Sequence, residues 1–141
     1  MILFNKNIFF SFFASSMVLL AGCSKKETLS SGDLSTQLTA STWAIHYFYS
    51  GSDITGDFSG YTFSFTTNGA CSVKKGSSTF TGSWQVVKGE NSTEKLLLNI
   101  SANPALQLLN EWWKLEAISY NLVEFKIDDT TKDNQFHFIR L

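Results

Sequence analysis

The sequence has no apolar run long enough to cross a membrane as a helix. A span needs ~20 apolar residues, and the best candidate, residues 8–20, is shorter and broken by Ser11, Ser15 and Ser16. Paired cysteines are scarce as well: Cys23 and Cys71 are the only two, too few for a cysteine-held zinc site. No stretch interleaves Lys and Arg with aromatics, and the formal net charge is −1. Nucleic acid is therefore not an expected partner. There are two histidines, His46 and His137, and no Gly-x-Ser-x-Gly, no His-Glu-x-x-His and no glycine-rich phosphate loop. Catalytic residues, metal ligands and cofactors are accordingly expected to be none. The absence of any strand-helix-strand alternation argues against a parallel sheet.

What is present begins at the N-terminus. Lys6 supplies a weakly charged start, and residues 8–20 form an apolar stretch within the ~7–15 residues usual for a signal peptide. It ends in Leu20-Ala21-Gly22-Cys23, followed by polar Ser24-Lys25-Lys26. This is the pattern of a bacterial lipoprotein signal, in which the cysteine thiol receives a diacylglycerol and the peptide is cut just before it. Residues 1–22 are thus expected to be removed and Cys23 to be lipidated. Ser24, rather than Asp, after the cysteine points to the outer membrane, and the lack of an acidic run points to its periplasmic side. Cys71 is then left without a partner and is read as a small buried apolar residue.

Residues 24–40 are rich in Ser and Thr, lack aromatics and show no sustained period. With Cys23 they read as a flexible tether over residues 23–40, ahead of a single domain over residues 41–141. From Thr42 onward the texture is period-2 alternation broken by turn residues at short intervals. Trp43, Ile45, Tyr47 and Tyr49 are expected on one face of a first strand, and Tyr61, Phe63 and Phe65 on one face of a second. Asn68-Gly69 suits a tight hairpin, and Cys71 and Val73 return inward. Phe80, Gly82, Trp84 and Val86 share a face of a fourth strand, with Gly82 marking a bulge or sharp bend. Leu96, Leu98 and Ile100 define a fifth strand, Trp113, Leu115 and Ala117 a sixth. Val123, Phe125 and Ile127 come next, and Phe136, Phe138 and Arg140 share a face of the last. Asn103-Pro104 pairs a good N-cap with a good first helical residue, so a short helical segment is expected over residues 104–110.

Eight short strands in about 100 residues predict an all-β antiparallel up-and-down meander, which hides its edges best by closing into a barrel. Carried on Ser41-Thr42-Trp43, Phe65-Thr66-Thr67-Asn68-Gly69, Gly82-Ser83-Trp84 and the closing Phe136-His137-Phe138-Ile139-Arg140-Leu141, the chain resembles the small lipocalin-like lipoproteins of Gram-negative bacteria. The resemblance implies an eight-stranded barrel in which Trp43 packs under Arg140. Ser41 stands where a lipocalin has glycine, and the Gly-x-Trp itself falls at Gly82.

Two smaller groupings are read as ordinary. Asp53 and Asp57 are expected in a solvated loop with Asx turns, lacking the oxygen ligands of a calcium loop. His46 and His137 are expected outward, meeting across the seam if the barrel closes. The abundant aromatics, with 13 phenylalanines and 4 tryptophans, either line a cup or fill the barrel, and eight strands is the size at which both occur. The leading functional expectation is a non-enzymatic, lipid-anchored envelope protein holding a small apolar or amphipathic ligand at one barrel end. Its mouth would be framed by residues 51–60 and 101–111, with Tyr49, Phe58, Tyr61, Trp112 and Trp113 as contacts. The competing expectation is a protein-interaction module, an envelope inhibitor or assembly factor, with a solid barrel. A cavity of ~300 Å³ or more beside those loops would favour the ligand.

Overall fold

The computed structural model describes residues 33–101 and 103–141. The expected signal peptide (residues 1–22), the expected lipidation site Cys23 and residues 24–32 lie outside the described residues. A helix α1 (Asp33–Thr39) precedes eight antiparallel strands: β1 (Thr42–Tyr49), β2 (Tyr61–Phe65), β3 (Ala70–Lys75), β4 (Ser78–Lys88), β5 (Glu94–Ile100), β6 (Trp112–Ile118), β7 (Leu122–Ile127) and β8 (Gln135–Arg140). A one-turn helix α2 (Pro104–Gln107) sits between β5 and β6. Each strand pairs with the next and β8 with β1, which closes the barrel. Closure follows from the alternation: Tyr61, Phe63 and Phe65, then Leu96, Leu98 and Ile100, then Val123, Phe125 and Ile127 all point inward and are buried, and only a closed sheet covers every such face at once.

Two strands depart from strict alternation. Along the β1–β8 seam the register runs Trp43↔Arg140, Ala44↔Ile139, Ile45↔Phe138 and then steps to Tyr47↔His137 and Phe48↔Phe136. His46 is therefore an extra residue in β1, a bulge that reverses the facing of residues 47–49. Phe48, not Tyr47, turns into the core, where it is fully buried, and Tyr47 and Tyr49 stay partly exposed. The swap spares a tyrosine hydroxyl the cost of burial inside a ring-filled barrel, where it would need a partner. The same thing happens in β6, where the pairing steps from Leu115↔Phe125 to Ala117↔Glu124 and Ile118↔Val123. Gly82, by contrast, carries no bulge: it pairs regularly with Cys71 on one side and Ile100 on the other. Its role is close approach, since a Cβ there would collide with the Asn99 carbonyl oxygen and lie 3.0 Å from Ile100 Cα.

The expected tether also ends sooner than residue 40. Leu34 and Leu38, four apart and so on one helical face, are both fully buried in the barrel core, and α1 lies across the end where β1 begins. A seven-residue helix is too short to persist alone, so docking holds it. The Trp43 indole N–H donates to the Leu38 carbonyl at 3.0 Å, and Gln37 Nε2 donates to the carbonyls of Ser119 and Tyr120, both at 2.8 Å, in the β6–β7 hairpin. The domain therefore includes α1. Removing the Leu38 side chain should cost about 3 kcal/mol, read as a lowered urea midpoint of Leu38→Ala with an unchanged slope; a flexible tether would give no change.

Candidate functional site

The opposite end of the barrel gathers residues 51–60 and 101–111, the two segments expected to frame a mouth. They close it instead. A 3-10 helix (Thr55–Phe58) brings the Phe58 ring onto Phe48, centroids 4.6 Å apart and nearly parallel. Asn103 caps α2 by accepting from the Leu106 N–H at 3.1 Å, as its Asn-Pro start predicted, and its Nδ2 donates to the Tyr61 hydroxyl at 2.7 Å. Leu106 and Leu109 are fully buried beneath, and the Trp113 indole N–H donates to the Leu109 carbonyl at 2.8 Å. Where β5 runs past β6, Asn110 stands in for a strand: its Oδ1 accepts from the Ile100 N–H at 2.8 Å and its Nδ2 donates to the Ile100 carbonyl at 3.1 Å.

The five residues expected to contact a ligand separate accordingly. Phe58 (1% exposed), Tyr61 (6%) and Trp113 (0%) come together at this end, but as packing. Tyr49 is partly exposed at the close of β1, its backbone bridged to Asp53. Trp112 faces outward, 37% exposed, because neighbours on a strand point to opposite faces; it sits across from Leu97 on β5. Between the two ends the barrel axis is occupied by rings. Phe136 has Trp113 edge-on at 4.7 Å, Phe125 stacked at 4.9 Å and Phe138 edge-on at 5.0 Å, spacings of direct contact. Phe138 in turn meets Phe63 at 5.2 Å and Phe65 at 5.8 Å. Sequence reasoning missed Phe48, Asn110, Leu34 and Leu38, whose roles depend on bulge and docking rather than on local pattern.

The outside of the barrel is polar and locally neutral. A recess of about 610 Å³ lies along β6, β7 and the 128–134 connection. Its lysines are paired: Lys126 with Asp133 at 3.0 Å, Lys114 with Glu116 at 3.4 Å and Lys132 with Glu111 at 3.2 Å. Such exposed pairs are worth ~1 kcal/mol or less and leave no field of one sign. Asp53 accepts from the Thr55 N–H and hydroxyl, and those bonds hold its carboxyl below the usual range; this is the Asx turn expected. No group of three His, Cys, Asp or Glu able to hold a metal occurs among the described residues. Cys71 is buried, and burial pushes its thiol up to about 12, which leaves it a thiol rather than a nucleophile.

At the seam, Trp43 and Arg140 are cross-strand neighbours, and the guanidinium carbon lies 5.2 Å from the Trp43 ring centroid, the arrangement the lipocalin resemblance implied. His137 sits beside Tyr47, rings 5.0 Å apart. Burial lowers its pKa; Glu124 opposes this and His46 adds to it. A histidine with a depressed folded pKa binds its proton better when unfolded, so its contribution is intact above ~6.5 and lost as pH falls through the folded value. The wild-type urea midpoint should therefore drop between about pH 8 and about pH 5 more steeply than that of His137→Asn; parallel profiles would contradict this.

No protein-family model and no curated protein matches the chain. Among solved structures it is similar to a DUF4847 family protein from Bacteroides vulgatus, with a TM-score of 0.52 and 16% identity over 72% of this chain and 93% of that one. At that identity the likeness is one of fold alone.

Proposed function

We propose that the protein is a non-enzymatic envelope lipoprotein, anchored through lipid on Cys23 to the periplasmic side of the outer membrane, that acts as a protein-interaction module. The observation that carries this reading is the filled axis: rings in mutual contact run through the barrel, and a helical segment covers each end. A ligand cup needs a mouth, and Phe58, Tyr61 and Trp113 at the expected one are part of the packing. What such a barrel offers a partner is its outer surface. Trp112 (37% exposed) and Leu108 (40%) are the large apolar side chains exposed toward the α2 end, away from α1 and the anchor. Tryptophan is among the side chains enriched at the energetic centres of protein interfaces.

A photo-crosslinking residue at position 112 of the lipidated protein, in its own envelope, should give protein adducts of discrete mass. Native mass spectrometry of the same preparation should find an empty domain. A stoichiometric co-purifying small molecule, with no adducts from position 112, would overturn the reading in favour of the ligand binder.

A further inference from the structure

Among the described residues, Arg140 carries a buried side-chain atom that the fold leaves unpartnered. Its Nε is buried and has no hydrogen-bond partner, alone in this among the side-chain nitrogens and oxygens of the described residues. It takes part in none of the ion pairs among them. Its guanidinium carbon lies instead between two rings, 5.2 Å from the centroid of Trp43 and 4.2 Å from that of Tyr120. Two cation–π contacts offset part of the desolvation, but an unmade bond from a buried, charged donor still costs upward of ~1–3 kcal/mol. The guanidinium is held by the two rings with its Nε–H buried and unpartnered, so an oxyanion would reach it only as Tyr120 moves aside, and arginine then takes such a group with two parallel bonds. Tyr120, 74% exposed, is the cover on the solvent side.

We infer that Arg140, with Trp43 and Tyr120 as its walls, is a binding site for a single oxyanion of the phosphate class, and that in the envelope this is the phosphate of a lipid headgroup. The second clause rests on the reading of Cys23 as the anchor; the first does not. Arg140 lies at the α1 end of the barrel, and residues 24–32 span at most about 30 Å when fully extended. A chain lipidated at Cys23 thus keeps this end, and not the Trp112 end, near the membrane surface.

The test uses the full-length protein in detergent, with arginine labelled by ¹⁵N, titrated with inorganic phosphate and with short-chain phosphatidylglycerol. Both should shift the Arg140 Nε–H resonance saturably and slow its exchange with water. Arg140→Lys keeps the charge but loses the fork, and should weaken binding by about tenfold or more. Tyr120→Ala, at an exposed position, leaves the fold intact whatever the fate of the first variant. Its Nε–H should exchange faster without phosphate and be slowed again by it. A resonance that responds to neither ligand, in the wild type or in Tyr120→Ala, overturns the site; so does undiminished affinity in a folded Arg140→Lys. Binding of inorganic phosphate without the lipid overturns the headgroup assignment. An unmodified Cys23, found by mass spectrometry, removes the anchor while the phosphate titration still stands or falls by itself.

Discussion

A barrel of eight short strands closes around an axis that something has to fill, and this constraint governs the rest of the molecule. Here the filling is aromatic. Phe136 touches rings from β1, β6, β7 and its own strand, and each edge-to-face or offset contact adds ~0.5–1.5 kcal/mol beyond the area buried. Because rings are large and stiff, a few of them span the barrel from wall to wall. Such packing holds together a domain with no disulfide among its described residues, where Cys71 is free.

The two ends are closed by one device used twice. At each, a short helical segment sets two leucines into the barrel, Leu34 and Leu38 at one end, Leu106 and Leu109 at the other, all fully buried. At each, a core tryptophan donates its indole N–H to the carbonyl of the second leucine. The pairing satisfies two needs at once. A buried indole N–H needs an acceptor, and the last carbonyls of a short helix are the acceptors left over. Trp43 and Trp113 thus join the ring-filled axis to its covers, and the loops expected to frame a mouth pack there as lids, with Phe58, Leu106 and Leu109 buried. The cation against Trp43 lies at the α1 end, while Trp112 and Leu108 lie at the α2 end.

Much of the architecture was legible because period-2 alternation is a direct record of which face is buried. β2, β5, β7 and β8 follow their patterns residue for residue. The pattern failed where its neighbours were interchangeable: Tyr47 and Phe48 both suit a core, as do Ala117 and Ile118, and nothing local says which the bulge turns inward. Asn103-Pro104 announced α2 through capping chemistry, whereas α1 has only Leu34 and Leu38 among Ser, Thr and Gln, too few apolar positions to show a helical period. The candidate site was legible in place but not in role. Phe58, Tyr61 and Trp113 are all buried at that end, with Phe48 between the first and the last, yet whether rings line a barrel or fill it depends on summed volume and on the docking of segments distant in sequence. Trp112 and Trp113 show the difficulty in miniature, since adjacent tryptophans put one ring on each face and composition cannot say which matters to a partner.

The sealed barrel is tested most directly by hydrogen exchange at its two fasteners. If the axis is filled and both covers are integral, the indole N–H protons of Trp43 and Trp113 exchange only through global unfolding, with the free energy found for the slowest backbone amides of β5 and β7. Exchange of the Trp113 proton through a local opening of much lower free energy, while Trp43 stays protected, would show that the α2 end opens as a mouth and would contradict the sealed barrel.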